Sequence, residues 1–182
     1  HTNIFSELSV FENVLTGQHI ISSQYMKDAF LRQKKYLKDV EYLNERTEEI
    51  LELLELLDVK DSLAKNLSYG NQRKLAIGIA LAANPKLLML DEPAAGMNET
   101  ESASLVNIIK SLREKGLTVL IVEHDMKVVM SLCDYIIVLD QGKKIAEGTP
   151  EEVANNSKVI EVYLGTDDEQ EIEELKETVE DA

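Results

Sequence analysis

Apolar positions recur at helical spacing over the first third of the chain and gather into short dense runs further on. Residues 7–18, ELSVFENVLTGQ, predict a short helix, and Ser9 with Glu12 three positions later has the pattern of a capping box. Residues 24–57 keep a helical period throughout. Within them YMKDAFLRQKKYLKDVEYL is basic and amphipathic, whereas NERTEEILELLELL is acidic and then leucine-rich. That change of character predicts two helices with a break near Asn44. The basic half suits either a membrane-surface helix or an ordinary helix with a solvated cationic face. A small-residue turn, LSYGNQ, then leads into a helix over 71–83 that ends before Pro85.

From there the pattern alternates. KLLMLDEP contains an apolar run of strand length at 87–91, a helix follows over 99–115, and Gly116 closes it. LTVLIVEH supplies a second strand at 117–122, residues 125–132 a short helix, and YIIVLD a third strand. DQGK turns the chain into KKIAEG, a hairpin. The first two runs read as strands buried on both faces, as in a parallel sheet. Strands alternating with helices predict an α/β fold, a mainly parallel sheet with flanking helices, joined to a helical subdomain.

Composition narrows the class. The 182 residues are 44% hydrophobic and 29% charged, as in globular domains. No run reaches the ~18 apolar residues of a membrane span. A single cysteine, Cys133, rules out an internal disulfide and suits a reducing compartment. His1, His19 and His124 are too far apart in sequence to suggest a metal site. The net charge is −15, and the last sixteen residues hold nine acids against one lysine, a tail expected to be solvated and either helical or disordered. An acidic balance argues against nucleic acid as a partner.

Candidate chemistry sits at two places. A turn opening a helix offers backbone N–H groups to an anion, so Ser68, Tyr69, Gly70, Asn71 and Gln72 could grip a phosphate. The two apolar strands end in Asp91-Glu92 and Glu123-His124, and ligands of parallel sheets lie beyond such carboxyl ends. A strand-end aspartate suits Mg²⁺, a hard cation that prefers oxygen. A neighbouring glutamate can orient an attacking water as general base, and a histidine can hydrogen-bond a terminal phosphate.

In order, LSYGNQ, LLMLDEPAAGMN and TVLIVEHD resemble the motifs of the ATP-binding-cassette (ABC) ATPases. LSYGNQ looks like the signature motif, LLMLDE like the Walker B strand with its catalytic glutamate, AAGMN like the D-loop, and His124 like the switch histidine. The likeness extends over residues 1 to about 165 and is similar in detail to the ATP-binding subunits of branched-chain amino-acid importers. NLSYGNQRKLAIGIALAANPKLLMLDEPAAGMN, EHDMKVVMSLCDYIIVLDQGKKIAEGTPEEV and VIEVYLG carry it, as does the helical insertion at 19–57.

The resemblance implies ATP and Mg²⁺ as ligands. Asp91 then helps hold Mg²⁺, largely through water, Glu92 polarises the attacking water, and His124 senses the γ-phosphate. The signature residues Ser68, Tyr69, Gly70, Asn71 and Gln72 reach that phosphate across a dimer interface, and Gly96, Met97 and Asn98 form the D-loop. Tyr69, Asn71 and Asn98 depart from the general ABC pattern, which has glycine, glutamine and aspartate there. The implied organisation is a helical subdomain over 1–84, the C-terminal part of a RecA-like core over 85–165 and an acidic tail over 166–182. The implied partners are a second ATP-binding subunit, membrane permease subunits and, indirectly, a substrate-binding protein, at the cytoplasmic face of the cell membrane. The helices of residues 1–57 would dock the permease or merely complete a lobe.

One motif is missing. A phosphate-binding P-loop reads G-x-x-x-x-G-K-[ST]. The one Gly-Lys pair, Gly142-Lys143, is followed by Lys144 and preceded by Ile137 where the first glycine belongs. The chain starts at His1 rather than Met, and the resemblance implies that the loop lies upstream of it. The expectation is an N-terminally truncated chain that is inactive alone. The alternatives are a non-transport ABC ATPase acting in DNA repair or translation, and a binding or regulatory fragment without its own activity.

Overall fold

The computed structural model describes residues 4–18 and 34–164. His1, His19, the first part of the basic helical stretch and the acidic tail lie outside the described residues. The chain divides into two compact units, one ending at Leu120 and the other beginning at Ile121.

In the first unit Ser9 caps α1 (Val10–Gly17): its hydroxyl accepts from the Glu12 amide, and Glu12 accepts in return from the Ser9 amide, completing the capping box. The amide oxygen of the buried Asn13 accepts from the Phe5 N–H at 2.8 Å, and its nitrogen donates back to the Phe5 carbonyl at 3.0 Å, which fastens the preceding segment to the helix. Helix α2 runs unbroken over Lys34–Leu53. The break expected near Asn44 is absent, since a switch from basic to acidic composition removes no backbone hydrogen bond. Leu43, Thr47, Ile50, Leu51 and Leu54 keep one stripe inward through that point.

Helix α3 (Tyr69–Ala82) lies against α1 and α2. The close approach depends on Gly78, where a Cβ would stand 2.7 Å from Leu54 Cδ1 and 3.2 Å from Val14 Cγ2. Val10, Val14, Leu51, Leu54, Leu56 and Leu75 form the centre of this helical core. Strand β1 (Leu87–Asp91) pairs with β2 (Thr118–Val122), and α4 (Glu99–Glu114) joins them. A helical crossover is the connection that parallel neighbours require.

These strands are not buried on both faces as expected from their apolar runs. Met89 is 68% exposed and Leu87, Leu120 and Val122 are also exposed, while Leu88 is buried. Residues alternate across a strand, and among the described residues packing covers one set of positions only.

In the second unit α5 (Met126–Leu132) is capped by Asp125, whose carboxylate accepts from the Lys127 and Val128 amides. Strands β3 (Ile136–Asp140) and β4 (Lys143–Gly148) form the expected antiparallel hairpin. Its two-residue turn, Gln141-Gly142, has φ of +45° and +76°, the left-handed pair that follows the twist of the strands. Val138 faces Ala146 and Leu139 faces Lys144, so Ile145 is a bulge. Helix α6 (Pro150–Ala154) follows, and Val129, Met130, Ile136, Val138, Val153 and Val159 pack as a second core.

Candidate functional site

The LSYGNQ segment is the first turn of α3 rather than a turn ahead of it. Ser68 is the N-cap, with extended backbone, and its Oγ accepts from the Asn71 N–H at 3.3 Å. A helix leaves its first amides without partners inside the helix, and here these belong to the residues that follow Ser68. The Gln72 amide donates to the Ser68 carbonyl, and its side chain folds back to donate to the Leu67 carbonyl at 3.1 Å. One N–H of the Gln72 side-chain amide is thereby held by the Leu67 carbonyl. Arg73 donates from Nε and Nη2 to the Tyr69 hydroxyl at 2.9 and 2.6 Å, with its guanidinium 5.2 Å from the ring centroid. That pair holds an exposed tyrosine at the head of the helix.

Asp91 ends β1 and is exposed. At Glu92 the chain turns sharply, with φ +43°. A non-glycine residue in this region costs on the order of 1 kcal/mol or more, and such strain persists only where the surroundings impose it. The buried Pro93 follows. Two tight turns come next, the Ala95 amide donating to the Glu92 carbonyl and the Met97 amide to that of Ala94. Gly96 is the third residue of the second turn, at φ +79°, where a side chain would be strained. Asn98 then caps α4 in a second capping box: its Oδ1 accepts from the Glu101 N–H at 2.9 Å, and Glu101 Oε2 accepts from the Asn98 N–H at 3.2 Å.

The structure brings the 68–70 and 96–98 segments together. A Cβ on Gly96 would stand 3.2 Å from Tyr69 Cε1. Glu101 reaches across with its other oxygen, Oε1, which accepts from Ser68 Oγ at 3.5 Å and lies where a Cβ on Gly70 would be only 2.5 Å away. Sequence reasoning missed Glu101, although Asn98-x-x-Glu101 is the same capping signature that it read at Ser9 and Glu12.

It also missed an ion pair beneath this turn. Lys74 is buried, and its Nζ donates to Glu55 Oε2 at 2.6 Å and to Ser104 Oγ at 2.8 Å. Ser104 in turn donates to the same Glu55 oxygen at 2.7 Å. The hydrogen bond from Lys74 first, and that from Ser104 second, hold the Glu55 carboxyl below its ordinary range. A lysine inside RKLAIGIALA was the available signal, but nothing in the sequence names its partners.

In the second unit, His124 is 71% exposed in its side chain, beside a Glu123 carboxylate that is 1% exposed. That carboxylate accepts from the His124 backbone N–H at 3.1 Å, and the imidazole Nδ1 lies 3.7 Å away from it.

Among the described residues no group of three or more metal-ligating side chains comes together. The donor set still fits Mg²⁺, which takes one or two carboxylates and completes its shell with water and phosphate oxygens. An exposed carboxylate at a strand end, Asp91, is such a donor.

A family model described as "ABC transporter" matches residues 1–95, and one described as "Branched-chain amino acid ATP-binding cassette transporter" matches residues 143–169. The chain is 40% identical over 166 residues to the high-affinity branched-chain amino acid transport ATP-binding protein LivG of Salmonella typhimurium, covering 91% of this chain and 65% of LivG. It is 39% identical over 172 residues to BraF of Pseudomonas aeruginosa, a protein of the same description, with the same two coverages. A crystal structure of the ADP conformation of MJ1267, an ATP-binding cassette of an ABC transporter, superposes with a TM-score of 0.69 at 35% identity, covering 88% of this chain and 64% of that one. The chain thus spans about two thirds of the length of these relatives. With its α/β fold, its order of motifs and these matches, the chain belongs to the ABC transporter family.

Proposed function

We propose that the chain carries the hydrolytic and partner-facing residues of the ATP-driven motor of an importer for branched-chain or other hydrophobic amino acids. The observation that carries this reading is the packing of the Ser68-capped helix start against the Gly96–Asn98 segment, a few residues beyond a strand that ends at Asp91. The C-terminal family match at 143–169 and the likeness to LivG and BraF support the substrate class.

In this reading Glu92 takes a proton from the attacking water and His124 hydrogen-bonds the γ-phosphate. Ser68, Tyr69, Gly70, Asn71 and Gln72 meet the nucleotide of a second ATP-binding subunit. Gly96, Met97 and Asn98 line the subunit interface. Asp91 holds Mg²⁺ largely through water, and the ion, when bound, neutralises phosphate charge. The partners are a second, non-identical ATP-binding subunit and membrane permease subunits on the cytoplasmic face, with a substrate-binding protein acting through the permease. The helical subdomain over 1–84, the core over 85–165 and the acidic tail over 166–182 complete the proposal.

The 182 residues contain no G-x-x-x-x-G-K-[ST] sequence, so the backbone nest and lysine that cradle phosphates are not among them. This chain by itself is therefore expected to bind Mg-ATP weakly and not to turn it over. Calorimetry showing micromolar binding by the 182 residues would contradict that part. The catalytic part is tested in the subunit expressed from the whole reading frame that contains these residues. Glu92→Gln keeps size and hydrogen bonding but removes the base, so phosphate release falls by on the order of 10²–10⁴ while ATP binding persists. Wild-type turnover in Glu92→Gln removes Glu92 from the role.

A further inference from the structure

We infer that Glu101 is a positioning residue that locks the phosphate-facing helix start to the interface loop of the same subunit, so that the two move as one piece. The inference rests on the functional reading above for its consequence in turnover, and on geometry alone for the lock. One carboxylate serves both segments. Oε2 accepts from the Asn98 N–H at 3.2 Å and fixes the start of α4. Oε1 accepts from Ser68 Oγ at 3.5 Å and packs on Gly70, where only the lack of a side chain leaves room. The Ser68 hydroxyl is itself shared, because it also accepts from the Asn71 N–H at 3.3 Å. The hydroxyl that caps the turn therefore sits between the Asn71 amide and the Glu101 carboxylate. The ring of Tyr69 against Gly96 closes the same seam from its other side.

A cap needs only the bond to Asn98; the second oxygen is the part that a cap does not explain. If subunit closure places the 68–70 turn on a phosphate, the carboxylate carries that displacement into residues 96–98, which in the proposed assembly face the partner. The seam thereby couples nucleotide engagement to the interface through a single rotatable side chain.

The test uses Glu101→Ala, Glu101→Gln and, as a control in the same helical turn, Glu99→Ala. Amide hydrogen exchange reads the lock without any activity. Glu101→Ala is expected to raise exchange over 68–72 as well as over 96–101, and Glu101→Gln, which keeps an acceptor and a donor in place, to restore both. Loosening confined to 96–101 would mean a cap and nothing more, and would overturn the inference.

Turnover is then measured in the assembled ATPase. Glu101→Ala is expected to lower kcat about tenfold at unchanged KM for Mg-ATP, with Glu99→Ala at wild-type rate. Ser68→Ala in the Glu101→Ala background should add little beyond either single change, the non-additivity of residues in contact. Full multiplication of the two effects, to about a hundredfold, would overturn the coupling. An assembly that does not hydrolyse Mg-ATP at all would remove the functional reading, while the exchange result would still decide the lock.

Discussion

Gly70 and Glu92 are two residues at the candidate site whose backbone or bareness the sequence does not explain locally. Gly70 lies in the first turn of a helix, where alanine is ordinarily better by roughly 0.5–1 kcal/mol. Here a Cβ would meet the Glu101 carboxylate at 2.5 Å, and since that group ends a flexible side chain it can swing aside. Gly70→Ala is therefore expected to leave the melting temperature unchanged or raised, yet to loosen 68–72 in hydrogen exchange as Glu101→Ala does. A variant with native exchange over 68–72 would show that the carboxylate does not hold the turn. The strand that ends at Asp91 and the helix that begins just after Leu67 were legible in the sequence, because both are local features. The positive φ of Glu92 and the reach of Glu101 were not, because both are set by neighbours distant in sequence.

Lys74 ties three helical elements together, since Glu55 follows α2, Lys74 lies in α3 and Ser104 in α4. Removing either partner of a buried ion pair is costly, but here the two ends differ: the Lys74 side chain is 8% exposed and that of Glu55 62%. Glu55→Ala leaves a buried cation with a single hydroxyl, and is expected to cost up to about 3 kcal/mol in urea unfolding. Lys74→Met leaves a carboxylate that water can reach and is expected to cost less. The reverse ranking would contradict the account.

The pair also gives a pH dependence. Glu55 is held below its ordinary value near 4.5, so its contribution is complete above that pH and fades as pH falls through the lowered value. Glu55→Gln should flatten this acid limb of the stability curve, and an unchanged limb would show that Glu55 does not cause it. At this scale the type and order of the main elements from α1 to β4 were legible from period, capping and turn residues, whereas α6 was not read. The break at Asn44 was misread because charge composition was taken for a helix signal. The start of α3 was placed late because Ser68 was read as part of a turn instead of as its cap.

For the whole molecule, the exposed apolar positions on β1 and β2 are the feature with a direct physical consequence. Exposed strands and apolar patches favour association. The 182-residue chain alone is expected to sediment above its monomer mass at high concentration. Met89→Thr with Leu120→Thr should lower that mass without lowering the melting temperature, since both side chains are about half exposed or more. A chain that stays monomeric throughout would contradict this. Whole-chain features were the least legible: apolar runs could be seen, but not which of their faces the packing leaves uncovered.

The central claim is that the Ser68–Gly70 turn of one subunit engages the nucleotide of another, and that Glu92 ends this engagement by hydrolysis. Light scattering coupled to size-exclusion chromatography tests it most directly, on the subunit expressed from its whole reading frame together with its partner subunit. With Mg-ATP, Glu92→Gln is expected to run at the mass of a two-subunit complex, and without nucleotide as separate subunits. Adding Ser68→Arg, which puts bulk and charge at the cap, should abolish the complex. A mass that does not respond to Mg-ATP, or a complex that survives Ser68→Arg, would contradict the claim.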